Sequence, residues 1–152
     1  TERMRIDAVG RVTMPYQPAF VATNGSSAIA TETVIVFTNT NLNVGSHYST
    51  STGAFTAPVA GIYAFSVTGL YTRSGQSATF KVVWQKNGGF YAVACEWQAT
   101  GLSYEYSTIG QSSVIVELAA NDTFRLQNGD TSTHSQMHIS GTQTKMCGYL
   151  IG

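Results

Sequence analysis

Residues 61–71 read GIYAFSVTGLY, and the pattern of this stretch decides the fold class. The large side chains of Tyr63, Phe65, Val67 and Tyr71 recur at every second or fourth residue, with mostly small side chains between them. Successive side chains of a strand point to opposite faces, so this alternation predicts a β-strand with one buried face. A helix would need apolar residues three and four apart, and the stretch does not have that spacing.

The same alternation recurs along the chain, separated by clusters of Gly, Asn, Ser and Thr. Asn87-Gly88 between two alternating runs predicts a tight hairpin, and residues 119–122 predict a short turn. The run at 146–151 is nearly all apolar, which predicts a strand buried on both faces. The pattern is typical of an all-β sandwich. The further predicted strands are residues 18–23, 33–39, 80–85, 91–97, 114–118, 124–126 and 146–151.

Composition excludes several classes of function. The chain has 152 residues, the size of one domain, and only 11% are charged, with a net charge of zero. One third of the residues are Ser, Thr, Asn or Gln, and there is no basic cluster to attract nucleic acid or an anionic membrane. No apolar run approaches the length of a membrane-spanning helix, and no secretion-signal pattern follows Thr1. We expect no nucleic-acid partner and no membrane insertion.

The two cysteines, Cys95 and Cys147, do not have the spacing of a metal site. Two separate buried thiols are favoured over a disulfide, because one pair does not form the dense framework of a small secreted domain.

The stretch from Phe37 to Phe65 carries a more specific pattern, F-x-N-x-N-x-N-V-G-x-x-Y-x-x-x-x-G-x-F-T-A-P-V-A-G-x-Y-x-F. It resembles the complement C1q globular-head family, and the likeness extends over residues 15–152, ending in Gly-Tyr-Leu-Ile at 148–151. The resemblance implies a ten-stranded jelly-roll β-sandwich of the C1q and tumour necrosis factor type, assembled as a homotrimer with a recognition role. The aromatic residues expected in its core are Phe20, Phe37, Phe55, Tyr63 and Phe65.

Some members of that family bind calcium, but this chain has few acidic loop residues. Asp122 and Asp130 are separated by a predicted strand, which argues against one shared calcium site, and we expect no cofactor. Asp130, His134 and His138 are weak metal candidates at spacings of four residues, although solvated polar side chains are the favoured interpretation.

Residues 1–13, TERMRIDAVGRVT, resemble short segments of phage tail-fibre and related virion proteins. Ile6 and Val12 around Gly10 predict a β-turn or small hairpin, and a flexible leader is the alternative. We therefore divide the chain into a fibre-like or stalk-like leader (1–14) and a C1q-like head domain (15–152).

Catalysis is not expected. The Gly-x-Ser-x-Gly motif is absent, and three histidines leave few choices for a catalytic base.

The side chain of Trp97 alternates in phase with Val93 and Cys95, and we therefore assign it to the core.

Antiparallel connections alternate between the two ends of a sandwich, which allows the ligand-binding end to be predicted. The tight connections at 56–61, 86–89 and 119–122 share the end with the termini, whereas those at 71–78, 98–108 and 128–136 are long and gather at the far end. Loops on a rigid scaffold commonly carry recognition. Tyr104 and Tyr106 suit stacking on sugars, although packing at a strand edge or a subunit interface remains open for them. The candidate ligand-binding residues are Tyr104, Glu105, Tyr106, Arg73, Gln76, Asp130, Thr131 and His134.

The function expected is a trimeric recognition head that binds a cell-surface ligand, with a glycan favoured over a protein. Its place would be the tip of a phage or viral fibre, so the location expected is extracellular or on a virion surface. Two alternatives stay open: a secreted C1q-domain lectin of innate recognition, and a purely structural trimerisation cap.

Overall fold

A computed structural model describes residues 4–23, 27–74, 78–99, 105–109, 111–129, 136–139 and 144–152. The regular structure within these ranges consists of β-strands, as the alternating pattern predicts, and no helix long and apolar enough to cross a lipid bilayer occurs in them. In chain order the strands are β1 (Arg5–Ile6), β2 (Val12–Thr13), β3 (Ala19–Thr23), β4 (Ser27–Ile29), β5 (Asn39–Val44), β6 (Ala54–Thr56), β7 (Gly61–Thr68), β8 (Leu70–Ser74), β9 (Ala78–Lys86), β10 (Gly89–Ala99), β11 (Glu105–Ile109), β12 (Ser112–Leu118), β13 (Thr123–Asn128), β14 (Gln136–Ile139) and β15 (Lys145–Leu150).

The strands pair antiparallel in three main sheets. The five-stranded sheet has the order β12-β7-β15-β3-β5, and the facing sheet has the order β10-β9-β13-β6. A third sheet has the order β11-β8-β14-β4. Each of its strands is adjacent in sequence to the corresponding strand of the five-stranded sheet: β11 to β12, β8 to β7, β14 to β15 and β4 to β3. We call this third sheet the distal sheet. A two-stranded sheet, β1-β2, forms the leader hairpin.

An aromatic core lies between the five-stranded and facing sheets. The core aromatics expected from the sequence are all buried, and the ring centroids of Phe65 and Phe124 are 4.6 Å apart. On β7 the predicted alternation is confirmed, because Tyr63, Phe65 and Val67 are buried while Ile62 is exposed. Burying each such large apolar side chain stabilises the fold by about 1.5–3 kcal/mol.

Both predicted tight turns are confirmed. Asn87 and Gly88 have φ values of 53° and 79°, which is the left-handed conformation that a two-residue hairpin between β9 and β10 requires. Asn121 (φ 71°) turns the chain between β12 and β13. Asp122 joins the two turns, since its carboxylate accepts a 2.8 Å hydrogen bond from the Asn87 amide.

Two strand predictions were wrong in extent. The strand predicted over 61–71 is interrupted at Gly69, whose φ of 72° separates β7 from β8, so Tyr71 belongs to a different sheet from Tyr63. The strand predicted over 33–39 is an extended segment with one isolated bridge, at Val34, and the ladder of β5 begins only at Asn39.

The prediction that residues 146–151 are buried on both faces was also wrong. Strand β15 is central, paired with β3 and β7, but only one of its faces is covered. Met146 and Gly148 are buried, whereas Tyr149 is 55% exposed. The apolar residues of the other face lie on the outside of the five-stranded sheet.

The two cysteines are free, as favoured from the sequence, but both are half-buried rather than fully buried. The Sγ atom of Cys147 lies 3.0 Å from the hydroxyl of Ser66 on the neighbouring strand.

Candidate functional site

The distal sheet brings together the backbone of three predicted ligand-binding residues. Arg73 on β8 has Tyr106 of β11 as its Cα partner on one side and Gln136 of β14 on the other. Glu105 pairs with Ser74, one position further along the same two strands. Arg73, Glu105 and Tyr106 are therefore neighbours in one sheet.

The expectation that these residues lie in long loops was wrong for the described part of the chain. Arg73, Glu105 and Tyr106 lie in strands, and parts of the predicted loops at 71–78, 98–108 and 128–136 belong to β8, β9, β10, β11, β13 and β14. The physical reason is that these segments satisfy their backbone groups by pairing with each other. Such pairing over long sequence distances leaves no local signal where the segments lack a clear apolar face.

The remaining candidates fall outside what the structure describes. Tyr104, Gln76, Asp130, Thr131 and His134 are not among the described residues, and the description of Trp97 and His138 extends to backbone pairing only. His138 lies in β14 opposite Tyr71 and Ala28. In the described ranges, no group of three or more His, Cys, Asp or Glu residues is placed to hold a metal ion.

The outside of the five-stranded sheet is a face without charge across its centre. Strand register aligns its outward residues in two rows that cross all five strands. None of these ten residues is charged, and Ile115, Tyr149 and Leu42 are 66%, 55% and 45% exposed. We call the two rows the uncharged face: Ile115, Ala64, Tyr149, Ala19 and Val44 in one, and Ser113, Ser66, Cys147, Val21 and Leu42 in the other.

A second apolar patch lies at the sheet edges beside this face. Strand β10 is the edge of the facing sheet and lies next to β12, the edge of the five-stranded sheet. Its residues Phe90, Tyr91 and Val93 are 67%, 40% and 43% exposed. Simple alternation puts Val93 in phase with Cys95, but bulges in the β9–β10 ladder change the phase. Val93 is therefore exposed, whereas Ala92, Ala94 and Cys95 pack against the core. We call Phe90, Tyr91 and Val93 the edge patch.

An apolar groove of about 630 Å³ lies at the end of the domain that holds the tight 56–61 connection. Gln17 closes one side of the groove, because its side-chain amide donates a 2.6 Å hydrogen bond to the carbonyl of Leu150. Sequence reasoning missed this groove, since its walls come from four separate parts of the chain. The residues that line it are Met14, Tyr16, Gln17, Pro18, His47, Pro58, Val59, Leu150, Ile151 and Gly152.

The shifted ionisable groups of the head domain have structural rather than catalytic surroundings. Hydrogen bonds from Asn87 and Lys86 lower the pKa of the Asp122 carboxyl to about 2, which reflects its role in tying two turns together. Burial raises the pKa of the Cys95 thiol to about 12, so little of it is the reactive thiolate at neutral pH. Neither group is part of a nucleophile–base pair in the described residues.

Comparison with known proteins agrees with this architecture. The fold resembles the globular domain of zebrafish complement 1qA protein (15% identity over 90% of this chain and 98% of that one, TM-score 0.64). It also resembles the Eiger TNF of S. frugiperda (12% identity, 91% and 94% coverage, TM-score 0.66) and murine APRIL (12% identity, 89% and 99% coverage, TM-score 0.62). No curated sequence matches the chain. At these identities the likeness shows a shared jelly-roll fold.

The sequence itself establishes the family. The family model of the C1q domain matches residues 19–151, which is most of the chain. The protein belongs to the C1q domain family. Domains of this family and of its TNF-like neighbours are trimeric, non-enzymatic modules that bind ligands and are typically extracellular.

Proposed function

We propose that this chain is a homotrimeric recognition head that binds a cell-surface ligand, preferably a glycan, at the tip of a phage or viral fibre. The observation that carries the proposal is the uncharged face, whose ten outward residues span all five strands of one sheet. An uncharged sheet face of this extent, with large exposed apolar side chains such as Ile115, Tyr149 and Leu42, is typical of a protein–protein interface.

The position of the apolar surfaces favours a ring of subunits. The uncharged face and the edge patch consist of different residues, so contact between the face of one copy and the edge patch of the next is heterologous. Heterologous contacts of this kind close into a ring when the rotation is suitable, and three copies form the ring typical of the family. Ile115 belongs to the face but lies on the edge strand β12, and therefore connects the two surfaces.

We propose the distal sheet as the ligand-binding surface. Tyr106, Arg73 and Gln136 are consecutive partners across three strands, and an aromatic, a guanidinium and an amide are suited to stacking on a sugar ring and bonding its hydroxyls. Three copies in a trimer would present three such sites on one side. Multivalency can increase the apparent affinity of weak sites by about 100-fold or more when epitopes are dense.

The fibre assignment rests on the leader, whose sequence resembles phage tail-fibre segments. Two alternatives are distinguished by different observations. A secreted C1q-domain lectin would have a secretion signal or a collagen-like stalk encoded upstream of Thr1. A structural trimerisation cap would form the trimer and bind no ligand.

Assembly is tested by light scattering of Ile115→Asp against wild type. Ile115 is 66% exposed in one chain, so a carboxylate there leaves the fold of the single chain intact but is buried without a partner in the trimer. We expect the mass to fall from three chains to one. Thr52→Asp, a charge in an exposed turn away from the face, is the matched control and keeps the trimer. A monomeric wild-type protein would refute the proposal.

Ligand recognition is tested on a glycan and cell-surface panel with the wild-type trimer and the double variant Arg73→Ala with Tyr106→Ala. We expect binding to be lost while the mass stays that of a trimer. Thr52→Ala removes an exposed side chain from a turn outside the distal sheet and should leave binding unchanged. Failure of the intact trimer to bind any ligand would favour the structural cap.

A further inference from the structure

The leader forms a hairpin that is closed by its own residues. The Oδ1 atom of Asp7 accepts hydrogen bonds of 3.0 Å from the backbone N–H groups of Val9 and Arg11, and its Oδ2 atom accepts one of 2.6 Å from the Arg11 side chain. Gly10 adopts a φ of 86° in the turn, which a glycine accommodates without strain. The turn geometry is therefore fixed locally, whatever the hairpin packs against.

One face of this hairpin is apolar and uncovered. Ile6 and Val12 are Cα partners. Met4 and Met14 directly flank the two strands, two residues from Ile6 and Val12, so the alternation of side chains assigns them to the same face. These four residues are 63%, 53%, 57% and 50% exposed. Arg5 and Thr13 occupy the paired positions of the opposite face. A two-stranded hairpin alone is marginally stable in water, so an uncovered apolar face of this kind requires a partner.

The apolar groove described above begins at the base of the hairpin. Met14 belongs both to the apolar hairpin face and to the groove lining, and Pro58, Val59 and Ile151 complete much of the opposite wall. A neighbouring cavity of about 500 Å³, lined in part by Met14, Val44 and Tyr149, connects the groove with the uncharged face. The groove is therefore continuous with the surface proposed to contact a second copy.

The hairpin is poorly placed to fill the groove of its own chain. Met14 precedes Pro15, which disfavours the helical conformation that a sharp reversal at Met14 would need. The following turn is fixed by a 3.1 Å hydrogen bond from the N–H of Gln17 to the carbonyl of Met14 and by the bond from the Gln17 side chain to Leu150. No spare residue lies between β2 and this turn, so the hairpin leaves its own domain in a defined direction.

We propose that the apolar face of each leader hairpin docks into the groove of a neighbouring copy of the chain. The inference rests on the proposed homotrimer, and it makes the leader an interlock between adjacent head domains. Met4, Ile6 and Val12 of one copy cover Val59 and the groove of the next. Around a threefold ring every hairpin and every groove is used once, which leaves neither apolar surface in water.

The test is a pair of engineered cysteines in a Cys95→Ala, Cys147→Ser background. Ile6→Cys is on the apolar hairpin face and Val59→Cys is in the groove, where Val59 is 48% exposed. A disulfide forms only where Cα atoms approach within about 7 Å. On oxidation the I6C/V59C variant is expected to form covalent trimers on a non-reducing gel, since each copy is linked to both neighbours. The matched control T13C/V59C places the thiol on the other hairpin face and is expected to remain mainly monomeric.

Light scattering of the reduced proteins separates failure of the docking from failure of the assembly. A trimer that gives no covalent product overturns the docking and leaves the recognition head standing, whereas a monomer overturns both. An intrachain disulfide in I6C/V59C would show that the hairpin covers its own groove. Efficient linking by I6C alone would show that the hairpins pack against each other. Either of these two results refutes docking on the neighbour.

Discussion

A methyl group added at Gly148 is the sharpest test of the core packing. Gly148 lies in the centre of β15, paired with Phe65 and Phe20 on the two neighbouring strands. A Cβ atom built there would lie 2.6 Å from Cε1 of Phe65 and 2.7 Å from Cε1 of Phe20, whereas ordinary contacts are 3.4–4 Å. Both rings must therefore move by roughly 1 Å to accept an alanine.

Neither ring has free space to move into. The Phe65 ring centroid lies 4.6 Å from Phe124 and 5.4 Å from Phe55, and the Phe20 ring is stacked 4.7 Å from Tyr48. Overpacking a close-packed core costs about 1–3 kcal/mol, and the displacement of two rings predicts the upper part of that range. We expect Gly148→Ala to lower the free energy of unfolding by about 2–3 kcal/mol.

The assay is urea denaturation followed by tryptophan fluorescence, at one fixed protomer concentration because assembly contributes to stability. Gly89→Ala is the matched control, since a Cβ there would meet nothing closer than 3.5 Å, and its effect should stay within about 0.5 kcal/mol. Adding Phe65→Leu to Gly148→Ala should cost less than Phe65→Leu costs alone, because the smaller side chain relieves the clash. A Gly148→Ala protein as stable as wild type would refute this description of the core.

Three further predictions concern individual polar groups. The pKa of Asp122 is about 2 in the folded protein and about 4 in the unfolded chain. The ionised carboxylate therefore contributes its full stabilisation above pH 4, and this contribution is lost as pH falls toward 2. In Asp122→Asn the urea denaturation midpoint should depend less on pH over that range than in wild type. Burial raises the pKa of Cys95 to about 12, so iodoacetamide at pH 8 should label it far more slowly in the native protein than in urea, and rapid native labelling would contradict its burial. Asn128 is buried and donates to the carbonyls of Ile29 and Ala30, so Asn128→Leu should lower the unfolding free energy by about 1–3 kcal/mol in the same urea assay, and a neutral effect would show that those carbonyls find other donors.

The candidate ligand-binding residues show how far local patterns reach. The sequence singled out Arg73, Glu105 and Tyr106, and the structure makes their backbones neighbours. It also places them in strands where loops were expected, because the distal sheet consists of short segments that lack a clear apolar face. Pairing between such segments is decided by the rest of the fold rather than by their own composition.

The sequence by itself determined the strand character, the aromatic core and the two tight turns. Each of these depends on neighbouring residues: side chains alternate from one residue to the next, and Asn87 with Gly88 accept left-handed angles wherever they occur. The tertiary structure alone decided which side chains share a face. Tyr149, Ile115 and Leu42 are far apart in the chain, and only the register of five strands aligns them and their neighbours into an uncharged surface. Register depends on pairing between distant segments, so no local pattern could have shown the surfaces through which this protein is proposed to assemble.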